Sequence, residues 1–545
     1  MRTLGRRNAS IANAFILSIA CQGILAQAPE SNVIPKPLAE VQTPDSFSIE
    51  PETLIIAGID SQASAAYLAQ RLRRATGFEL PILDTLPSRA SGAIVLRIQS
   101  ASTQASQVSD LDSEGYRLEV TGERVEISAS APEGIFYGVQ TLLQMLPPRV
   151  YAPDPAPLDP EERSLAGVEI DDRPRFSWRG LMIDVSRHFF SKEQIKKTID
   201  AMSVHKLNVL HLHLTDDPGW RIQIDRYPRL IDVGAVGHHT NRDGPARLYF
   251  SKDEIREIVA YAAEHHIAVV PEIDMPGHSQ NAARAYPEFF DGDQTFNPAN
   301  EGTYEFVRNI LTEVMELFPS GYLHFGGDEV RNHRWAELPE MAEFMRQHGY
   351  TEFREVEEHF DRFVSNFIAE QGYTPIGWDE IAEFDVHPNT IVQYWLHLRP
   401  EARDHAIAKG HRVIISPTNY LYFDYPNHVG EPGAPWEGND NGANSLESIH
   451  QWEPVPDSYS PAEESLVLGL QANLWTEFIE TNEYYEYMLF PRLSALAEIA
   501  WSPKGEKDLE DFIRRIHVQM QRYEAMGLNY RVYSEWPTDF RYLIH

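Results

Sequence analysis

Cysteine is all but missing: the 545-residue chain holds one, Cys21. No intrachain disulfide can form, so stability must come from packing even in an oxidising compartment. Positive charge is scarce too. Against 81 Asp and Glu stand only 47 Lys and Arg, a net charge of −34, which disfavours nucleic acid and anionic membranes as partners because both would be repelled. A neutral or cationic substrate fits better. Long apolar runs are also lacking, since the most apolar stretch, residues 14–26, is too short and too interrupted to span a membrane. What is present, 42% hydrophobic and 11% aromatic residues, describes a well-cored protein. Its length exceeds one compact core and allows two to four domains, or one barrel with a companion.

The first 28 residues read as an export signal: Arg2, Arg6 and Arg7 precede the apolar stretch, and Ala26-Gln27-Ala28 has the small-x-small pattern of a cleavage site. This places the chain in the periplasm or outside the cell. Ser18-Ile19-Ala20-Cys21 partly matches a bacterial lipoprotein box that would anchor the chain through Cys21, but Ser18 stands where a large aliphatic residue is usual, so simple cleavage is favoured.

Residues 29–170 alternate short strand-like runs, such as 93–98 and 116–120, with helical ones. The run 116–120 pairs with 125–128 across a Thr-Gly-Glu turn, and 134–146 is an amphipathic helix. A small α+β domain is expected there. The Pro-rich, acidic segment 147–162 reads as a linker or surface excursion. From residue 171 to 545 the pattern becomes apolar strands separated by helix-length stretches. The strands are 180–185, 209–214, 268–273, 322–325, 375–378, 391–395, 413–416 and 468–474. Eight such runs predict a (β/α)8 barrel, with a helical extension from 506 to 545 closing it.

Chemistry-bearing residues gather just after these runs, which in a barrel places them on one face. The most informative stretch is 323–330, where a short apolar run ends in Gly326-Gly327-Asp328-Glu329. On extended backbone, neighbouring side chains point to opposite sides, so Asp328 and Glu329 cannot serve as a simple acid and nucleophile facing one atom. They need different jobs. For the tetrapeptide alone, an ordinary acidic turn is an equal reading.

Five ordered stretches sharpen this: 179–190 (RGLMIDVSRHFF), 211–221 (HLHLTDDPGWR), 272–278 (EIDMPGH), 324–330 (HFGGDEV) and 473–477 (NLWTE). Together they resemble family 20 glycoside hydrolases, the β-N-acetylhexosaminidases, over the barrel and the domain before it. The resemblance implies an exo-acting, retaining enzyme that removes terminal β-linked GlcNAc or GalNAc from glycans or chitooligosaccharides. The substrate's own 2-acetamido oxygen attacks the anomeric carbon, a known exception to the two-carboxylate scheme. It implies Glu329 as general acid and base, with a pKa expected to be raised, and Asp328 as the residue orienting the acetamido group. Trp378, Trp395 and Trp475 would wall the acetamido slot, Tyr422 would donate to the acetamido oxygen, and Asp424, Arg187 and Glu477 would hold sugar hydroxyls. Asp216 and His278, joined by Asp274, would support Glu329. Pro218 departs from the pattern, standing where a glutamine is common, which removes an amide near the aglycone.

Plainer readings stand beside these. Any one of the tryptophans is more often a core filler, and Arg187 could be a surface ion pair. The acidic, Gly- and Pro-rich stretch 426–445 is equally a flexible loop or a pocket border with Trp436 as a stacking residue. His211-x-His213, with Asp216 and His278, also has the look of a metal ligand set, although both histidines lie in an apolar strand where satisfied barrel-interior residues are expected. No metal or other cofactor is implied. Two alternatives remain: a non-catalytic N-acetyl-sugar-binding protein, which would not need the Asp328-Glu329 pair, and a metal-dependent barrel hydrolase.

Overall fold

Alternating burial in short β-branched runs builds the first layer of the protein. A computed structural model describes residues 31–85, 92–99, 113–242, 244–436, 442–505 and 507–533; the segment read as an export signal, with Cys21, lies outside them. Strands β1 (Ala39–Ser48), β2 (Leu54–Ala57), β3 (Ile82–Leu83), β4 (Ala93–Ile98), β5 (Tyr116–Val120), β6 (Arg124–Ala129) and β7 (Ser164–Asp172) form one sheet in the order β1-β7-β5-β6-β4-β2-β3. The expected β5–β6 pairing is present and antiparallel. Helices Gln62–Thr76 and Pro132–Gln144 bury their apolar faces with this sheet in one core.

Segment 147–162 is not a loose linker. Val150, Tyr151 and Leu158 are buried, and the Leu158 amide donates to Ala75 O at the end of the first helix. The sequence reading weighted its prolines and acids over these three apolar anchors. It also passed over β7, whose alternating burial is plain once Leu165, Val168 and Ile170 face the core.

The second layer is a (β/α)8 barrel. Its strands are β8 (Trp178–Asp184), β9 (Val209–His213), β12 (Ala268–Met275), β13 (Tyr322–Gly326), β14 (Thr374–Trp378), β15 (Ile391–Tyr394), β16 (Val413–Ile415) and β17 (Val467–Leu474), and the small hairpin β10 (Thr215–Asp216) with β11 (Gly219–Trp220) follows β9. Strand β17 pairs in parallel with β8 from Gly469 to Leu474 and closes the ring. Each strand splits its residues by face. Leu210, Leu212, Ile273, Leu323 and Phe325 join the large core shared with the outer helices, whereas Val209, Val270 and Ile376 pack together inside the barrel. His211, His213, Glu272 and His324, buried among the same strands, form a polar layer above that plug. Layered filling of this kind leaves no pore and confines ligand space to the C-terminal rim.

Sheet and barrel are locked by buried ion pairs. Arg179 of β8 gives both guanidinium nitrogens to Glu114 at 2.8 Å and a further bond to Tyr137 O–H at 3.1 Å, while its Nε donates to Lys206 O at 2.8 Å. Lys206 in turn bonds Asp172 of β7 at 3.0 Å. Helix Leu509–Ala525, expected to close the barrel, also reaches back to the first layer: Arg522 donates to Gln144 O and Asn32 O. Arg179→Met would leave Glu114 charged and unpaired, and breaking such a pair costs about 3–5 kcal/mol. We expect urea unfolding to show that loss, without a change in the barrel's helical signal before the transition.

Candidate active site

The residues that matter sit where strands end. Arg187 follows β8, Asp216 and Asp217 form the hairpin after β9, Asp274 and His278 end and follow β12, and Asp328 and Glu329 follow β13. Trp378 closes β14, Trp395 follows β15, Tyr422 and Asp424 come after β16, and Trp475 and Glu477 after β17. Most of these line a single cavity of about 410 Å³. Trp378 and Asp274, both buried, are not among its lining.

The turn carrying the acid pair is backbone-strained. Gly326 and Gly327 have φ of +78° and +93°, and Glu329 itself has φ of +47°, a region costly for a side-chain-bearing residue unless its surroundings impose it. A Cβ on Gly326 would lie 1.9 Å from Asp274 Oδ1. Gly326 is therefore required for the chain to pass Asp274, and a Cβ on Gly327 would meet Ile381 Cγ2 at 2.8 Å. The turn separates the two acids: the Asp328 side chain is 12% exposed and that of Glu329 53%. His278 Nε2 stands between them, 3.8 Å from Asp328 Oδ2 and 3.5 Å from Glu329 Oε2.

Asp216 and Arg187 stand behind His278. Its Nδ1 is 3.5 Å from Asp216 Oδ1, and Asp216 Oδ2 forms an ion pair with Arg187 Nη2 at 2.6 Å. Arg187 lies 4.8 Å over the Trp475 ring and 3.7 Å from Glu477. Trp378, Tyr422, Tyr425 and Trp475 pack with Met182 into a half-enclosed aromatic slot, with Trp395 against it and stacked on Tyr422 at 6.1 Å. Asp424, also lining the cavity, is buried, and the charge of Glu477 acts on it. At the mouth, Trp436 and Phe478 meet edge to face at 5.7 Å, although they are 51% and 44% exposed. Residues 437–441 of the same loop lie outside the described residues.

Proton affinities differ from expectation. Hydrogen bonding to His278 lowers the pKa of Glu329, against the burial that would raise it, and so favours its ionised form. The raised group is its neighbour: burial pushes Asp328 up to about 7, with Glu380 and Glu272 adding to the effect and His278 opposing it. The half-exposed position of Glu329 explains the reversal, because water and imidazolium both stabilise its charge. Burial likewise raises Asp424, Asp274 and Glu477.

Sequence reasoning missed several contributors. Glu380 accepts from Trp395 Nε1 at 3.0 Å, and Asp379 from the Trp395 amide at 3.2 Å, so these acids after β14 fix the indole. An Asp-Glu pair directly behind Trp378 was a usable signal. His239, Arg242 and Arg331 also line the cavity, and nothing in their local pattern announces it. His211, His213 and His324 come within ligand reach of carboxylates, but their ring nitrogens are turned toward Glu272 and Asp216 at 2.7–3.2 Å. His213 bonds Glu272 and Asp216 through both nitrogens, whereas His324 Nδ1 accepts from the Gly326 amide at 3.1 Å.

A barrel whose rim gathers an acid pair, an aromatic slot and an arginine held by carboxylates defines a glycosidase-like pocket. Comparison with known proteins agrees. Residues 176–504 match the family "Glycosyl hydrolase family 20, catalytic domain" and residues 30–173 its "domain 2". The chain belongs to glycosyl hydrolase family 20. It is 35% identical over 521 residues to a beta-hexosaminidase of Porphyromonas gingivalis, covering 92% of this chain and 64% of that protein's length. Among solved structures, the beta-N-acetylhexosaminidase of Streptomyces coelicolor A3(2) superposes with a TM-score of 0.80 at 33% identity, over 94% of this chain and 99% of that one. The exo beta-N-acetylglucosaminidase of Vibrio harveyi in complex with N-acetylglucosamine gives 0.80 at 30% identity, over 92% and 79%.

The raised Asp328 carries a stability consequence. Its folded pKa of about 7 lies above the ordinary value of 3.8, so the fold favours the protonated form, and stability falls as pH rises from about 4 to 7. Asp328→Asn should therefore raise the melting temperature of the ligand-free protein at pH 8, with the gain shrinking toward pH 4; a lower melting temperature at pH 8 would contradict the charge argument. Gly326→Ala, by contrast, should disrupt the turn and abolish activity while the far-ultraviolet circular dichroism of the barrel persists.

Proposed function

We propose that the protein is an exo-acting β-N-acetylhexosaminidase that releases terminal β-linked GlcNAc or GalNAc with retention, through substrate-assisted catalysis. The observation that carries this reading is the division of labour at the strained turn. Asp328 is buried in the cavity that the tryptophan slot lines, whereas Glu329 is half-exposed toward the mouth, with one imidazole nitrogen between them. A carboxylate nucleophile would need to face the anomeric carbon opposite the acid; here the slot is shaped for an acetamido group that supplies the nucleophile itself.

Trp378, Trp395 and Trp475 enclose the acetamido methyl, and the Tyr422 hydroxyl donates to its carbonyl oxygen. Asp328 accepts the acetamido N–H, turning that oxygen toward C1. Glu329, protonated, gives its proton to the glycosidic oxygen as the C1–O bond breaks and the acetamido oxygen bonds to C1, forming an oxazolinium ion. Negative charge on Asp328 stabilises the positive nitrogen. Glu329, now a carboxylate, takes a proton from water as that water attacks C1 from the face the aglycone left, and the bond between C1 and the acetamido oxygen breaks to regenerate the neutral acetamide. Substrate supplies the proton affinity that Glu329 needs. Docking an N–H on Asp328 favours its ionised form, and that new charge beside Glu329, together with loss of water, raises Glu329.

Arg187 and Glu477 grip O3 and O4, and Asp424 takes O6, which closes the pocket around a terminal sugar and supports exo-action. Trp436 and Phe478 offer an aromatic border for the aglycone. Among the described residues no helix is long and apolar enough to cross a membrane. Export through segment 1–28 would bring the enzyme to polymeric glycans.

Glu329→Gln should lower kcat/KM on chitobiose by roughly 10²–10⁴-fold and much less on a dinitrophenyl glycoside, whose leaving group needs no proton. A matched β-glucoside, lacking the acetamido group, should be hydrolysed at least about 10³-fold more slowly, since intramolecular positioning is lost. Equal rates on glucoside and N-acetylglucosaminide would end this proposal.

A further inference from the structure

Strand β12 places Glu272 at zero exposure beneath the catalytic rim, where a carboxylate is tolerated only with its oxygens fully engaged. Oε1 accepts from the Trp378 indole at 2.9 Å and lies 3.1 Å from His324 Nδ1. Oε2 accepts from His213 Nδ1 at 2.7 Å and lies 2.9 Å from His211 Nε2. The arrangement follows from register, because Glu272 is directly opposite His213 on β9 and His324 on β13.

The partners of Glu272 lead to different places. His211 is an end point: burial pushes its pKa down to about 4, and its Nδ1 accepts from the Gln471 amide at 3.0 Å. His213 continues. With Nδ1 turned to Glu272 and Nε2 lying 3.2 Å from Asp216 Oδ2, both its nitrogens donate. Burial disfavours that cation, but the charges of Glu272 and Asp184 and the bonds to Asp216 and Glu272 outweigh it and hold His213 protonated. Asp216 then divides the path, one oxygen to Arg187 and the other to His278, whose far nitrogen meets Glu329. Trp378 is the second branch, and it forms a wall of the acetamido slot.

We propose that Glu272 is a positioning residue that couples the two halves of the pocket, fixing the acetamido wall through Trp378 and the acid–base residue through His213, Asp216 and His278. This rests on the substrate-assisted reading above. The need for a carboxylate follows from donor counting: an amide at this position would aim its N–H₂ at histidine N–H groups or at the indole N–H, and one branch would be broken whichever way it turned. The branches also differ in what they control. The Trp378 branch sets the geometry of the internal nucleophile, needed for every substrate, whereas the His213 branch sets protonation at Glu329, needed most when the leaving group is poor.

That difference supplies the test. Wild type, Glu272→Gln, His213→Asn and the double variant are assayed on chitobiose and on a dinitrophenyl N-acetylglucosaminide. Glu272→Gln should lose roughly 10²-fold in kcat/KM on chitobiose and roughly tenfold on the activated substrate, the latter reporting the loosened indole. His213→Asn should lose on chitobiose and keep most activity on the activated substrate. The double variant should be no slower on chitobiose than Glu272→Gln, since residues acting as one unit are not additive. The proposal is overturned if Glu272→Gln loses the same factor on both substrates, or if the two losses multiply. Should Glu272→Gln fail to fold by circular dichroism, His213→Asn decides: an equal loss on both substrates, or none, defeats the coupling. A wild-type protein that cleaves neither substrate would instead defeat the functional reading beneath it.

Discussion

Balancing negative charge at the C-terminal rim is the constraint on which this structure turns. Asp184, Asp216, Asp274, Asp328, Glu329, Asp424 and Glu477 converge there on one small volume, and most are buried. Burial by itself favours the protonated form of Asp216, Asp274, Asp328, Glu329, Asp424 and Glu477. Some do take up protons more readily, as Asp328, Asp274 and Asp424 show, while Asp216 is held ionised because Arg187 and His278 outweigh its burial. Three cationic groups, Arg187, His213 and His278, thus divide the acids into a charged set and a protonated set. The proposed chemistry requires substrate to reverse that division at the strained turn, since Asp328 must be ionised to orient and Glu329 protonated to donate.

The fold makes the balance possible by separating two kinds of interior. Outside the strands, leucine, isoleucine and phenylalanine bind the barrel to its helices. Inside, an apolar plug of Val209, Val270 and Ile376 seals the base and a polar layer centred on Glu272 sits above it. Alternation along β9 and β12 gives both at once, because period two sends His211 and His213 inward and Leu210 and Leu212 outward. The first layer contributes through buried pairs such as Arg179–Glu114, which fix the end of β8 remote from the pocket and with it the register that closes the ring.

Strand and helix positions were legible in the sequence because their signals are local. All eight barrel runs appear within a residue or two of their observed bounds, since apolar periodicity and the acids that follow it are read from neighbours. Segment 147–162 was misread for the complementary reason: Val150, Tyr151 and Leu158 are too sparse to stand out among prolines and acids, and only the helix they pack against gives them meaning. Glu380 and Glu272 were passed over as functional because what matters is their partner, Trp395 in one case and three histidines with Trp378 in the other.

The sequence by itself determined the architecture, the family likeness and which acids stand side by side, because the order of strands and the spacing of motifs survive without coordinates. Tertiary structure alone decided the protonation pattern. The pKa of Glu329 was expected to be raised and is lowered, and Asp328 takes that place, because proton affinity depends on how much water each carboxylate keeps and which cation faces it. Those are sums over groups far apart in the chain, and no local stretch of residues encodes them.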